Sequence, residues 1–190
     1  VMEQDRNNDG KPDLRLRYKD GRREKLIRDD DFDGRFENTQ RFNLPGWQVV
    51  VEIDNDGDRN IDTRFFYKDD VLRIKEEDAT SNGDGFLREY YDAKGALVKS
   101  EEAQDATGPV SISWYFDQDG NPVRAEKDSD KDGRVNVWFY YEQGRVIKVE
   151  EDSNHDGKVD VWETYDGDEQ MSMRKKDLDF DGVADVEETF

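Results

Sequence analysis

Short runs of alternating apolar and polar residues recur along the whole chain, and none keeps a helical period. "VNVWFYY" (135–141) and "RVIKVEE" (145–151) show the type: rich in Val, Ile and aromatics, bounded by Gly, Asp and Asn, and too short for ordinary helices. Between paired runs lie turn signals such as "YKDGR" (18–22), "LPGW" (44–47), "DAKGA" (92–96), "DQDGN" (117–121), "EQGR" (142–145) and "YDGDE" (165–169), which predict hairpins. "YKDDV" (67–71) is a weaker turn at the corresponding place. Along 135–141, Val135, Val137, Phe139 and Tyr141 share one parity and form the better candidate core. Asn136, Trp138 and Tyr140 share the other.

The runs belong to a repeat. Aligned on a glycine, the segments "DRNNDGKPD" (from Asp5), "DDDFDGRFE" (Asp29), "EIDNDGDRN" (Glu52), "DATSNGDGF" (Asp78), "AQDATGPVS" (Ala103), "DSDKDGRVN" (Asp128), "DSNHDGKVD" (Asp152) and "DLDFDGVAD" (Asp177) start 23 to 26 residues apart. Eight places beyond each glycine stand Tyr18, Phe42, Phe65, Tyr91, Phe116, Tyr141, Tyr165 and Phe190, aromatic in every unit. Each unit therefore predicts an acidic loop, a strand, a hairpin turn and a second strand. The expected fold is all-β: one repetitive antiparallel meander of about eight loop-hairpin units over 1–190, elongated or curled, with EF-hand-like loops between hairpins. Trp138, Trp162, Tyr90 and Tyr115 on the second parity predict a curled or two-layered sheet toward the C-terminal half.

Composition then explains why the loops matter. The 190 residues are 33% hydrophobic and 41% charged, which leaves little material for a thick core. A formal charge of −20 argues against a nucleic-acid partner and points to cations or basic partners. With no Cys, disulfides and thiolate metal sites are excluded. No stretch has the length and apolarity of a membrane helix.

Calcium takes six to eight oxygens, and an EF-hand loop supplies them from positions 1, 3, 5, a carbonyl at 7, 9 and 12. That spacing assigns Asp5, Asn7, Asp9, Lys11 (carbonyl) and Asp13 to the first loop, and Asp29, Asp31, Asp33, Arg35 (carbonyl) and Glu37 to the second. The third has Glu52, Asp54, Asp56, Asp58 (carbonyl) and Asn60, and the sixth Asp128, Asp130, Asp132, Arg134 (carbonyl) and Asn136. The seventh has Asp152, Asn154, Asp156, Lys158 (carbonyl) and Asp160, with Glu163 at position 12. The eighth has Asp177, Asp179, Asp181, Val183 (carbonyl) and Asp185, with Glu188 at position 12. Six calcium sites are expected. The fourth loop departs from the pattern at Thr80 and Phe86, and the fifth, with Ala103, Thr107 and Ser111, is expected to be empty. His155 falls at a non-ligand position and reads as a solvated side chain.

The "DxDxDGxxD" loops resemble the calcium loops of dockerin modules and thrombospondin type 3 repeats, although strands rather than helices flank them here. The stretches "YYDAKGALVKSEE" (90–102) and "WYFDQDGNPVRAEKD" (114–128) look like the YD repeats of bacterial surface and toxin-shell proteins. These resemblances imply a bacterial protein, extracellular or at the cell surface, with the periplasm as a further compartment. No nucleophile motif or phosphate-cradling loop is present, and the expectation is a non-enzyme. The expected function is a calcium-stabilised structural or adhesive repeat protein. The alternative is a calcium-dependent module binding a glycan or protein through Trp138 and Trp162. "VMEQ" and Phe190 read as halves of one hairpin, which predicts either closure of the same chain into a ring or self-association through edge strands into head-to-tail filaments.

Overall fold

The computed structural model describes residues 1–78 and 85–190, and all its regular structure is β. The chain divides into two compact units, Val1–Gly95 and Ala96–Phe190. The first contains β1 (Met2–Gln4), β2 (Leu14–Lys19), β3 (Arg22–Arg28), β4 (Asn38–Leu44), β5 (Trp47–Ile53), β6 (Thr63–Lys68), β7 (Val71–Asp78) and β8 (Phe86–Tyr91). The second contains β9 (Leu97–Ala103), β10 (Val110–Phe116), β11 (Pro122–Lys127), β12 (Val137–Glu142), β13 (Arg145–Glu151), β14 (Val161–Tyr165), β15 (Met171–Lys176) and β16 (Val186–Thr189). Within each unit every strand pairs antiparallel with its neighbour in sequence, the hairpin meander that the repeat predicts.

The weak turn closes as firmly as the glycine-bearing ones. Asp69 and Asp70 have φ of 54° and 58°, so both central residues of the β6–β7 hairpin adopt the left-handed conformation that a tight two-residue turn needs. Asp tolerates this region better than most residues because its short polar side chain can bond locally. Gln48 also braces the turn from the neighbouring hairpin: its Oε1 accepts the Asp70 N–H (2.8 Å) and its Nε2 donates to Asp70 Oδ1 (2.9 Å).

Among the described residues neither unit has a second layer, and this changes the expected core. In β12 both parities are half-buried, Trp138 and Tyr140 no less than Val137 and Phe139. Val135, placed by pattern on the core face, precedes the strand and is exposed. Among the described residues the buried apolar side chains are only Leu16, Val50, Phe86 and Ala125.

Both faces are held by cross-strand pairs instead. On one, Tyr115 donates to Glu126 (2.9 Å) and Tyr140 to Glu150 (2.8 Å), with the Lys148 ammonium 5.0 Å from the Tyr140 ring centre. On the other, Trp114 lies 5.8 Å from Tyr141, and Ala125 sits between the Trp114 and Phe139 positions. Ala125 is 0% exposed, so Ala125→Leu has no room and should cost about 1 to 3 kcal/mol, read from urea unfolding.

Candidate functional site

The loops, not the sheet, hold the most deeply buried functional groups. Asp13, Asp29, Asp128, Asp152, Asp160 and Asp177 are each 2–4% exposed, and Asn136 is 3% exposed. These residues occupy loop positions 1 and 9, where the loop joins the strands. Position 1 anchors each loop to the one before it through the backbone. The Asp29 N–H donates to the Asp13 carbonyl (2.9 Å), Asp54 to Glu37 (2.9 Å) and Asp78 to Asp62 (2.8 Å). In the second unit Asp128 donates to Ser111 (3.0 Å), Asp152 to Asn136 (2.9 Å) and Asp177 to Asp160 (2.9 Å).

Position 9 closes the loop by accepting the N–H of the loop's second residue. Asp13 takes Arg6 (2.6 Å), Glu37 takes Asp30 (2.5 Å), Asn136 takes Ser129 (2.8 Å), Asp160 takes Ser153 (3.0 Å) and Asp185 takes Leu178 (2.7 Å). Short bonds two residues apart brace the middle. Examples are Asp9 N–H to Asn7 (2.9 Å), Asp33 to Asp31 (3.1 Å), Asp156 to Asn154 (2.9 Å) and Val183 to Asp181 (2.8 Å). The backbone turns at position 6, where Gly10, Gly34, Gly133, Gly157 and Gly182 have φ between 88° and 96°. A side chain there would be strained.

The third loop has a different register from the one that glycine alignment assigns. Asp54, not Glu52, takes the position-1 role: its Oδ1 accepts from Gly57 N–H (2.8 Å) and its Oδ2 from Arg59 N–H (3.0 Å). Asp62 closes the loop by accepting Asn55 N–H at 2.5 Å. Gly57 thus stands at position 4, and Arg59 carries the left-handed φ of 77° at position 6. Glu52 lies in β5 and pairs with Arg41 at 2.7 Å.

Position 12 also departs from the EF-hand pattern. Glu163 lies in β14, accepts from Arg174 Nε (2.8 Å) and Tyr165 OH (2.7 Å), and so belongs to the sheet face. Burial, with the bond to Glu163, pushes Tyr165 up to about 12. Glu188 sits in β16 opposite Arg174.

Acid groups that could share one cation are Asp5–Asp9–Asp13, Asp29–Asp31–Asp33, Asp54–Asp56–Asp58 and Asp177–Asp179–Asp185, each with ligand atoms within 4.8 Å of one another. Crowding is visible in the eighth loop. The Asp181 N–H bond lowers the Asp179 pKa, but the charges of Asp181, Asp185 and Asp177 outweigh it and leave the group raised. Asp128 shows the converse: burial raises it, and the N–H groups of Gly133 and Lys131 more than compensate, leaving it lowered.

A fifth group, Asp130–Asp132–His155, spans two loops. His155 Nδ1 is 3.2 Å from Asp130 Oδ2, so the imidazole, solvent-exposed as expected, also reaches a carboxylate of the neighbouring repeat. Arg6 likewise reaches Asp30 of the second loop (3.1 Å). Local spacing does not reveal such contacts, which depend on how loops of successive repeats align.

In the fifth loop Asp105 alone accepts Thr107 N–H (2.8 Å), Thr107 Oγ1 (2.8 Å) and Gly108 N–H (2.7 Å), a turn closed on itself. Most of the fourth loop, including Thr80, lies outside the described residues. Trp138 and Trp162 share a face, each directly opposite Glu150, and both are half-buried.

No family model and no curated protein matches this chain. A solved structure of accessory secretory protein 1, 2 and 3 of Streptococcus pneumoniae shares 17% identity over 79% of this chain and 23% of that one, with a TM-score of 0.38. Two structures of TarM, one of them from S. aureus in complex with fondaparinux, α-GlcNAc-glycerol and UDP, share 12% identity over 67% of this chain, with TM-scores of 0.28 and 0.30. This chain spans only 19–23% of the length of these proteins, and likeness at this level carries no functional argument. Among the described residues no helix is long and apolar enough to cross a membrane.

Proposed function

We propose that this is a calcium-binding repeat protein in which the ion stabilises the fold, serving a structural or adhesive, non-catalytic role outside the cytoplasm. The observation that carries this reading is the inverted burial. Six loop aspartates are 2–4% exposed in a chain of net charge −20, while few apolar side chains reach comparable burial. Burying carboxylates is costly unless charge is neutralised. The donor set is oxygen throughout the acid groups of loops 1, 2, 3 and 8, which suits a hard cation of flexible geometry such as calcium. Magnesium fits less well, because it favours few carboxylates and several waters. Loops of this kind bind extracellular calcium with Kd of about 10⁻⁴ to 10⁻³ M, hence the expected compartment.

Native mass spectrometry of the folded chain in calcium tests the reading. Several bound calcium ions are expected, lost on chelation and not replaced by magnesium at equal concentration. A folded chain that retains no calcium would overturn it.

A further inference from the structure

Six loops share one plan, but their position-1 carboxylates are not equivalent. In loops 1, 3, 6 and 7 both oxygens of that carboxylate accept backbone N–H groups. Asp5 takes Asn8 (2.6 Å) and Gly10 (2.9 Å); Asp54 takes Gly57 (2.8 Å) and Arg59 (3.0 Å). Asp128 takes Lys131 (2.7 Å) and Gly133 (2.8 Å); Asp152 takes Asp156 (3.2 Å) and Gly157 (2.8 Å).

In loops 2 and 8 only one oxygen is engaged. Asp29 Oδ2 accepts Gly34 N–H (2.9 Å) and Asp177 Oδ2 accepts Gly182 N–H (2.7 Å). Asp29 Oδ1 and Asp177 Oδ1 are buried with no hydrogen-bond partner. Their residues are 3% and 4% exposed, and each belongs to a group of three carboxylates whose ligand atoms lie within 4.8 Å. In loop 2 the second oxygen of Glu37, at position 9, is also buried without a partner. The two loops share a sequence mark, Phe at position 4: Phe32 in "DDDFDG" and Phe180 in "DLDFDG". Loops 1, 6 and 7 have Asn8, Lys131 and His155 there.

An ionised oxygen that is buried and unbonded is an expensive state, and a cation repays it at once. In the other four loops an N–H already stabilises that oxygen, which keeps a second lone pair for the ion, so binding there relieves less, a difference of roughly tenfold or more in affinity. Resting on the calcium reading above, we infer that the protein binds calcium in two classes: two primary sites, loop 2 (Asp29, Asp31, Asp33) in the first unit and loop 8 (Asp177, Asp179, Asp185) in the second, fill before the rest. Each compact unit thereby has one primary ion.

Isothermal titration of the whole chain with calcium should give two tight ions followed by a class weaker by about tenfold or more. Asp29→Asn and Asp177→Asn keep the oxygen that accepts the glycine N–H, and each should remove one tight ion. Asp152→Asn should remove only weak binding. A second measurement needs no variant: in an amide NMR titration the Gly34 and Gly182 signals should saturate before those of Gly133 and Gly157. A single class of equivalent sites, simultaneous saturation, or loss of a tight ion from Asp152→Asn would overturn the ordering and leave calcium binding standing. A folded chain with no calcium heat at all would overturn both.

Discussion

Transfer from 10 mM calcium to chelator, at matched ionic strength, should lower the melting temperature of each unit by about 10 °C. Binding to the native state adds RT ln(1 + [Ca]/Kd), which for the affinities of such loops is about 1.4 to 2.7 kcal/mol per site. In a domain of this size 1 kcal/mol corresponds to about 4 to 8 °C, so even one occupied loop per unit gives that shift. The matched sodium chloride control matters because a chain of −20 is also stabilised by simple screening. Differential scanning calorimetry separates the two effects. An unchanged melting temperature would remove calcium from the account of stability.

The second large effect is expected at position 9, and it needs no metal. Asp160→Ala in chelator should destabilise by about 2 to 3 kcal/mol, because a buried charged acceptor is lost and its donors are stranded. Those donors are Ser153 N–H (3.0 Å), Ser153 Oγ (2.7 Å) and Asn154 N–H (3.2 Å). Asp160→Asn should stay within about 1 kcal/mol, since it removes charge while keeping an acceptor. The sixth loop already contains that substitution: Asn136 accepts Ser129 N–H at 2.8 Å and is as buried as Asp160. Urea unfolding of the two variants decides the matter. Equal losses would mean that charge, not hydrogen bonding, closes the loop.

The repeat and its hairpins were legible because strand alternation and turn residues are local signals, and the in-register aromatics from Tyr18 to Phe190 fixed the spacing. The third loop was not, because the glycine used to align it is at position 4 there. The acids Asp54, Asp56, Asp58 and Asp62 keep the 1, 3, 5, 9 spacing and would have given the observed register. Glu163 was misleading for a related reason. It satisfies an EF-hand count, but once a strand starts at Val161 its pairing partner across the ladder is Arg174. The sheet faces were hardest. Alternation shows which residues share a face but not whether anything covers it, and in a single layer Trp138 and Val137 are shielded alike by their cross-strand neighbours. His155 with Asp130 and the unbonded oxygens of Asp29 and Asp177 depend on three-dimensional alignment and have no one-dimensional signal beyond Phe at position 4.

Because each described strand within a unit pairs with the strands before and after it in sequence, array length and array geometry are separable. Gaining or losing one whole loop-hairpin repeat creates or removes a nearest-neighbour interface and leaves the other pairings untouched. Gaining a single residue inside a strand, unless a bulge takes it up, reverses the side chains along the rest of that strand, turning its part of the Tyr–Glu–Lys face over to where Trp114 and Ala125 lie. Genes encoding such a chain can therefore lengthen or shorten by unequal crossing-over in steps of one repeat, whereas one extra codon within a strand has to be absorbed by a bulge such as the register shift at Tyr140 and Tyr141.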